Sequence, residues 1–257
     1  MLQPGEALYF YDPQHLPELP PELQRTIETR AQEVELAPPV AYLALGEEGL
    51  ALLEINRPGT DIIFDERRTR DLLLEGPVLF AAGETLTAWD VSGPGVPQLR
   101  AELALPSPGR HVERTADGLL VSLESGMLLA RWDGEALAEI GQLSTDGPVD
   151  RGLQIRDRAF LALHRGGLLV VDLSDPASPM RLYSYTSAAG QYVYDLMPQG
   201  EDTLLVSWEG GVEALDVSQV KPTPRLVNVV ESGGSQALGL SLTRDGARAA
   251  VAMGEEG

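Results

Sequence analysis

Short apolar runs, each closed by an acidic residue and a polar turn, repeat along this chain, and no long stretch holds the three-and-four spacing of an amphipathic helix. The clearest copy, GGLLVVDLSDPASP over residues 166–179, has a glycine turn, an apolar strand, a terminal Asp and a Ser/Asp/Pro turn; the strand PMRLYSY follows. Related copies are GGVEALDVS with TPRLVNVV, TLTAWDVS with VPQLRAEL, and GMLLARWD with ALAEIGQL. GLALLEIN from Gly49 and ALYFYDP from Ala7 complete the set. The strand-end acids are Asp12, Glu54, Asp90, Asp133, Asp172 and Asp216, spaced 36 to 44 residues apart. A period of roughly 40 residues is that of one four-stranded propeller blade. Two further short strands precede each marker, such as LQIRD and AFLALH before Asp172.

The pattern therefore predicts an all-β chain: a six-bladed β-propeller of four-stranded blades, forming a single domain over residues 1–257. The chain ends after two strands of a blade and begins with what reads as the other two. The GEEG of residues 46–49 continues into a marker strand, whereas the GEEG of residues 254–257 ends the sequence. Closure is expected from residues 6–23 completing the blade of residues 237–257, which would leave no open sheet edge. Middle strands such as LLVVD lack alternation because neighbouring blades cover both faces. The marker acids read as turn-formers that accept backbone N–H groups. Pro20 and Pro21 precede good helix formers, so a short helical decoration is expected over residues 20–30.

LLVVDLSDPASP resembles the LVIVD repeat, a propeller-forming repeat of bacteria and archaea, and the weaker copies extend that resemblance over most of the chain. It implies the fold and a protein-binding or surface role, and it brings no catalytic residues. Many members of that family are exported. Trp89-Asp90 and Trp132-Asp133 resemble the strand end of a WD40 repeat, but the chain has no Gly-His dipeptide.

Charge changes the choice of partner. The 257 residues carry 39 acidic and 19 basic side chains, a net charge of −20. With no basic stripe, nucleic acid and anionic membranes are poor partners, and no apolar stretch is long enough for membrane insertion. A protein partner, possessing basic patches, suits the charge better, and the chain itself is expected to be monomeric. The absence of cysteine excludes disulfides and thiolate metal sites. Residues 1–10 show no signal-peptide pattern, which predicts a cytoplasmic protein, or an exported one if a leader has been removed.

Candidate chemistry is sparse. There is no H-E-x-x-H, P-loop, G-x-S-x-G or EF-hand pattern, and the three histidines, His15, His111 and His164, are scattered. No catalytic or metal residues are assigned, and no cofactor is expected. The connections from an outer strand to the next inner strand gather on one face, and loops on a rigid scaffold commonly carry function. Arg110, His111, Arg151, Tyr192 and Tyr194 are the binding candidates there, because Arg and Tyr are frequent interface anchors. The sequence thus reads as a non-catalytic scaffold presenting a loop-rich face to a protein. The alternative is a lactonase or esterase with an axial Ca²⁺ held by inner-strand oxygens.

Overall fold

The computed structural model describes residues 7–11, 23–28, 31–55, 62–187, 192–219, 224–231, 236–243, 246 and 248–253. Among them every regular element is a β-strand. Five four-stranded antiparallel sheets follow one another along the chain. The first comprises β3 (Glu33–Ala37), β4 (Val40–Ala44), β5 (Leu50–Glu54) and β6 (Ile62–Asp65). The second holds β7 (Thr69–Glu75), β8 (Val78–Gly83), β9 (Thr85–Asp90) and β10 (Gln98–Ala104). The third holds β11 (Gly109–Arg114), β12 (Leu119–Leu123), β13 (Gly126–Trp132) and β14 (Leu137–Ser144). The fourth is β15 (Val149–Ile155), β16 (Arg158–Leu163), β17 (Gly167–Asp172) and β18 (Met180–Tyr185). The fifth is β19 (Val193–Gln199), β20 (Thr203–Trp208), β21 (Gly211–Asp216) and β22 (Arg225–Glu231).

Two hairpins flank them: β1 (Ala7–Tyr11) with β2 (Leu23–Glu28), and β23 (Ala237–Leu242) with β24 (Ala249–Met253). The inner strands β3, β7, β11, β15, β19 and β23 neighbour one another in that order. The result is a propeller-like array of sheets.

Face-to-face packing builds its core. Leu119 and Val121 of β12 pack with Phe80 and Leu86 of the second sheet, while Leu120 between them packs with Leu161 and Leu169 of the fourth. The same alternation joins the fourth and fifth sheets through Phe160, Val170, Leu204 and Trp208. Apolar runs without alternation are the direct consequence, since both faces of each middle strand leave water.

The repeat's turn residues have local explanations. Asp90, Asp172 and Asp216 each accept the backbone N–H two residues on, at 2.8, 2.9 and 2.9 Å, and Asp133 accepts those of Glu135 and Ala136. Those donors hold Asp133 and Asp172 below the ordinary carboxylate range, and the Ser218 hydroxyl together with its N–H does the same for Asp216. Asp12 lies outside the described residues. The glycine opening β13 has φ of 146°, and a Cβ there would stand 2.1 Å from the Leu143 carbonyl oxygen of β14. Gly49 and Gly167 meet the same constraint at the start of their hairpins' second strands.

One expectation is corrected. Residues 23–28 do not form a helical decoration; LQRTIE is β2, paired with β1 from Ala7↔Glu28 to Tyr11↔Leu23. β-branched Thr26 and Ile27 suit a strand, and cross-strand pairing overrides the helix preference of the neighbouring Glu and Gln. Residues 20–22 and 29–30 lie outside the described residues.

Candidate functional site

A β-bulge recurs near the start of the inner strands and sets up two tiers of side chains. In β7, β11, β15, β19 and β23 the pairing skips the second residue: Arg70, Arg110, Asp150, Tyr194 and Leu238. A bulge places two successive residues opposite one partner and re-aims their side chains. The bulged residues form a rim, and those that follow (Asp71, His111, Arg151 and Asp195) form an axial cluster just inside it.

The rim is a connected row. Arg110 is ion-paired with Asp150, whose second oxygen lies 2.9 Å from His164 Nδ1. The His164 ring meets Tyr192 edge-on at 5.2 Å, and Tyr192 stacks on Tyr194 at 6.3 Å and 10°. Arg165 lies over the other aromatic contact of this row, 5.5 Å from the Tyr192 centroid, a cation–π arrangement. His164 and Arg165 are exposed, and Tyr192 and Tyr194 are half-buried. Burial and the charge of Glu209 push the Tyr194 hydroxyl up, keeping it protonated. Further round, Arg70 pairs with Glu124 at 3.1 Å and Arg68 with Glu47 at 2.8 Å. Burial and the neighbouring charges of Arg68 and Arg110 push the Arg70 guanidinium down.

In the axial cluster Asp71, His111 and Asp195 are buried and Arg151 is half-buried, and the cluster is cross-linked between sheets. Asp71 Oδ2 accepts the Val112 N–H at 2.7 Å, and Asp195 Oδ2 accepts the Leu240 N–H at 2.7 Å. Glu35 Oε1 takes the Leu74 N–H at 3.3 Å in the same way. In each case a carboxylate of one inner strand holds the backbone of the next. Arg151 reaches Asp195 Oδ1 at 2.9 Å and approaches Glu113 at 4.0 Å. His111 Nε2 sits 3.9 Å from both Asp71 Oδ2 and Glu113 Oε2, too far for a direct hydrogen bond. Its Nδ1 is buried without a hydrogen-bond partner. Burial pushes Asp71, Glu113 and Glu35 up and pushes His111 down, the last aided by the charge of Arg151.

The sequence-predicted candidates thus divide. Arg110, Tyr192 and Tyr194 share the rim, whereas His111 and Arg151 belong to the axial cluster. Their placement on loops is corrected: Arg110 and His111 lie on β11, Arg151 on β15 and Tyr194 on β19, and Tyr192 alone of the five stands on a connection. The bulge interrupts the two-residue alternation, so these strand starts look like loop in the sequence. Residues 188–191 and 232–235, in the connections that lead into β19 and β23, lie outside the described residues. Sequence reasoning missed Asp71, Asp150 and Arg165. The signal for Asp150, and for Asp71 as the residue after Arg70, was present as register: Arg70, Arg110, Asp150 and Tyr194 each precede the apolar part of an inner strand by the same offset, whereas Arg165, in the turn between β16 and β17, lies outside that register.

What the arrangement can do chemically is hold a partly exposed Arg–aromatic surface, with Tyr194 on β19 and Arg165 and Tyr192 on connections, above a mostly buried acidic centre. The backbone bonds to Asp71 and Asp195 occupy oxygens that a metal would need. Among the described residues no three His, Asp or Glu donors converge as a metal site.

No protein-family model matches the sequence, and no curated protein matches it. Solved structures do resemble the fold. The "putative 6-phosphogluconolactonase" of Bacteroides fragilis NCTC 9343 superposes with a TM-score of 0.65 at 14% identity, covering 91% of this chain and 80% of that one. A functionally unknown protein from Desulfotomaculum acetoxidans DSM 771 gives 0.66 at 12% identity, covering 89% and 77%. The computationally designed Ika8 protein gives 0.57 at 10% identity, covering 93% and 85%. At such identities the likeness is one of fold, and it agrees with the propeller-like array.

Proposed function

We propose that this chain is a six-bladed propeller of the LVIVD-repeat type, closed by its two terminal hairpins, which binds a protein partner at the rim and makes or breaks no bond. Closure is supported by an asymmetry of burial. The middles of the third strands β5, β9, β13 and β17 are covered, whereas in β21 Val212 and Ala214 are half-exposed. Its neighbour β22 exposes Val227 and Val230 at 60% and 62%. A sixth blade made of β23, β24, β1 and β2 would cover that face.

The observation that carries the binding role is the stacked, half-buried Tyr192–Tyr194 pair beneath the exposed Arg165, an Arg–Tyr surface of the kind that anchors protein interfaces. The lactonase alternative, with an axial Ca²⁺, has the fold likeness to the Bacteroides fragilis protein behind it, while the Arg151 charge and the backbone bonds to Asp71 and Asp195 weigh against a carboxylate cage.

The test is affinity capture from the source cell's lysate with the wild-type chain and the double substitution Tyr192→Ala/Arg165→Ala. A stoichiometric partner kept by the wild type and lost by the folded double variant is expected. Equal retention by both, or hydrolysis of lactones by the wild type that EDTA abolishes, would overturn the proposal.

A further inference from the structure

We infer that His164 sets the specificity of the rim: Asp150 fixes its imidazole in the tautomer whose exposed Nε2 is a hydrogen-bond acceptor, and the partner meets that nitrogen with an uncharged N–H or O–H donor. This rests on the binding reading above and adds the chemistry of the group recognised.

The tautomer follows from what surrounds the ring. Asp150 is ion-paired with Arg110 through Oδ1, and its Oδ2 lies 2.9 Å from His164 Nδ1. A carboxylate has lone pairs and no proton to give, so Nδ1 is the donor in that bond. A neutral imidazole carries one N–H, and Nε2 is left with its lone pair. Tyr192 holds the ring from a second side, edge-on at 83°. The His164 carbonyl takes the Val193 N–H at 3.3 Å, which ties the residue after β16 to the first residue of β19.

The other nitrogen is open to a partner. The His164 side chain is 46% exposed, and among the described residues no hydrogen bond reaches Nε2. Water solvates such a nitrogen in the free protein, so accessibility alone carries no meaning. Asp150 adds a fixed sign: a partner group offering another acceptor at that point is rejected, because two lone pairs then face each other. The charged groups around the ring are Asp150, Arg110 and Arg165, with Glu209 beside Tyr194, two of each sign. A site without net charge favours an uncharged donor over an ammonium or a guanidinium, whatever the charge of the rest of the partner.

Asp150→Asn tests this with little change of shape. Arg110 has only donors, so it keeps the carboxamide oxygen, which turns the amino group toward His164 Nδ1. Nδ1 must then accept, the ring proton moves to Nε2, and the exposed nitrogen changes from acceptor to donor. In Asp150→Ala the ring is released and has access to both tautomers. Imidazole nitrogen NMR of the full chain at alkaline pH should place the proton on Nδ1 in the wild type and on Nε2 in Asp150→Asn. Capture from the source cell's lysate, quantified for the protein that the wild type retains, should weaken about tenfold in Asp150→Asn and less in Asp150→Ala. That order separates recognition from scaffolding, since a structural role for Asp150 makes the conservative Asn the milder change. A wild-type proton on Nε2, an unchanged tautomer in Asp150→Asn, or capture by folded Asp150→Asn as good as by Asp150→Ala would overturn the inference. The rim reading fails separately, through equal capture by Tyr192→Ala/Arg165→Ala, and a wild type that retains nothing overturns both. If the double variant loses the partner while Asp150→Asn keeps it in full, the rim stands and the role of His164 does not.

Discussion

Two sets of aspartates in this protein respond to acid in opposite directions. Asp71 is pushed up by burial, so the folded state binds its proton more tightly than the unfolded chain does. Its contribution is therefore complete below the ordinary aspartate value of 3.8 and is lost as pH rises through the folded value. The turn aspartates Asp133 and Asp172 are held down by N–H donors, and Asp216 by the Ser218 hydroxyl and N–H, so their contribution is present above 3.8 and is lost as pH falls. Asp71→Asn keeps an oxygen for the Val112 N–H and removes the charge. Thermal unfolding should show it gaining on the wild type from pH 4 to pH 8, whereas Asp71→Ala, which orphans that N–H, should cost about 1–3 kcal/mol at both. The turn aspartates were legible because their chemistry is confined to two or three successive residues. Asp71 was not, because its partner is 41 residues away.

At the level of strands, the repeat's glycine and its apolar run were read correctly for a physical reason: each answers to the backbone and faces of its own hairpin. Gly126→Ala tests the glycine. The left-handed φ and the approach to Leu143 oxygen should make the substitution cost more than about 1 kcal/mol, with β13 and β14 losing hydrogen-exchange protection before other hairpins. The strand starts were harder. A bulge after the first residue of β11, β15 and β19 breaks the alternation that marks a strand, so Arg110, Arg151 and Tyr194 looked like loop residues. Residues 23–28 misled in the other direction, because helix formers next to two prolines are outweighed by pairing with β1.

Over the whole molecule, a charge of −20 surrounds a face on which Arg165 is exposed and Tyr192 and Tyr194 are half-buried, while Asp71 and Asp195 beneath it are buried. Under the proposed function the net charge would speed encounter with a basic partner, and the rim would then select by contact. Such selection needs a scaffold that does not open, which is what a closed ring supplies and an open arc with two loose hairpins does not. Removing residues 1–28 deletes both β1 and β2, so the most direct measurement is urea unfolding of this truncation beside the intact chain, followed by tryptophan fluorescence and sedimentation. The account predicts a lower midpoint, a shallower and less cooperative transition, and association through the uncovered Val212, Val227 and Val230. A truncated monomer that unfolds with the midpoint and slope of the intact protein would contradict the closed six-bladed ring.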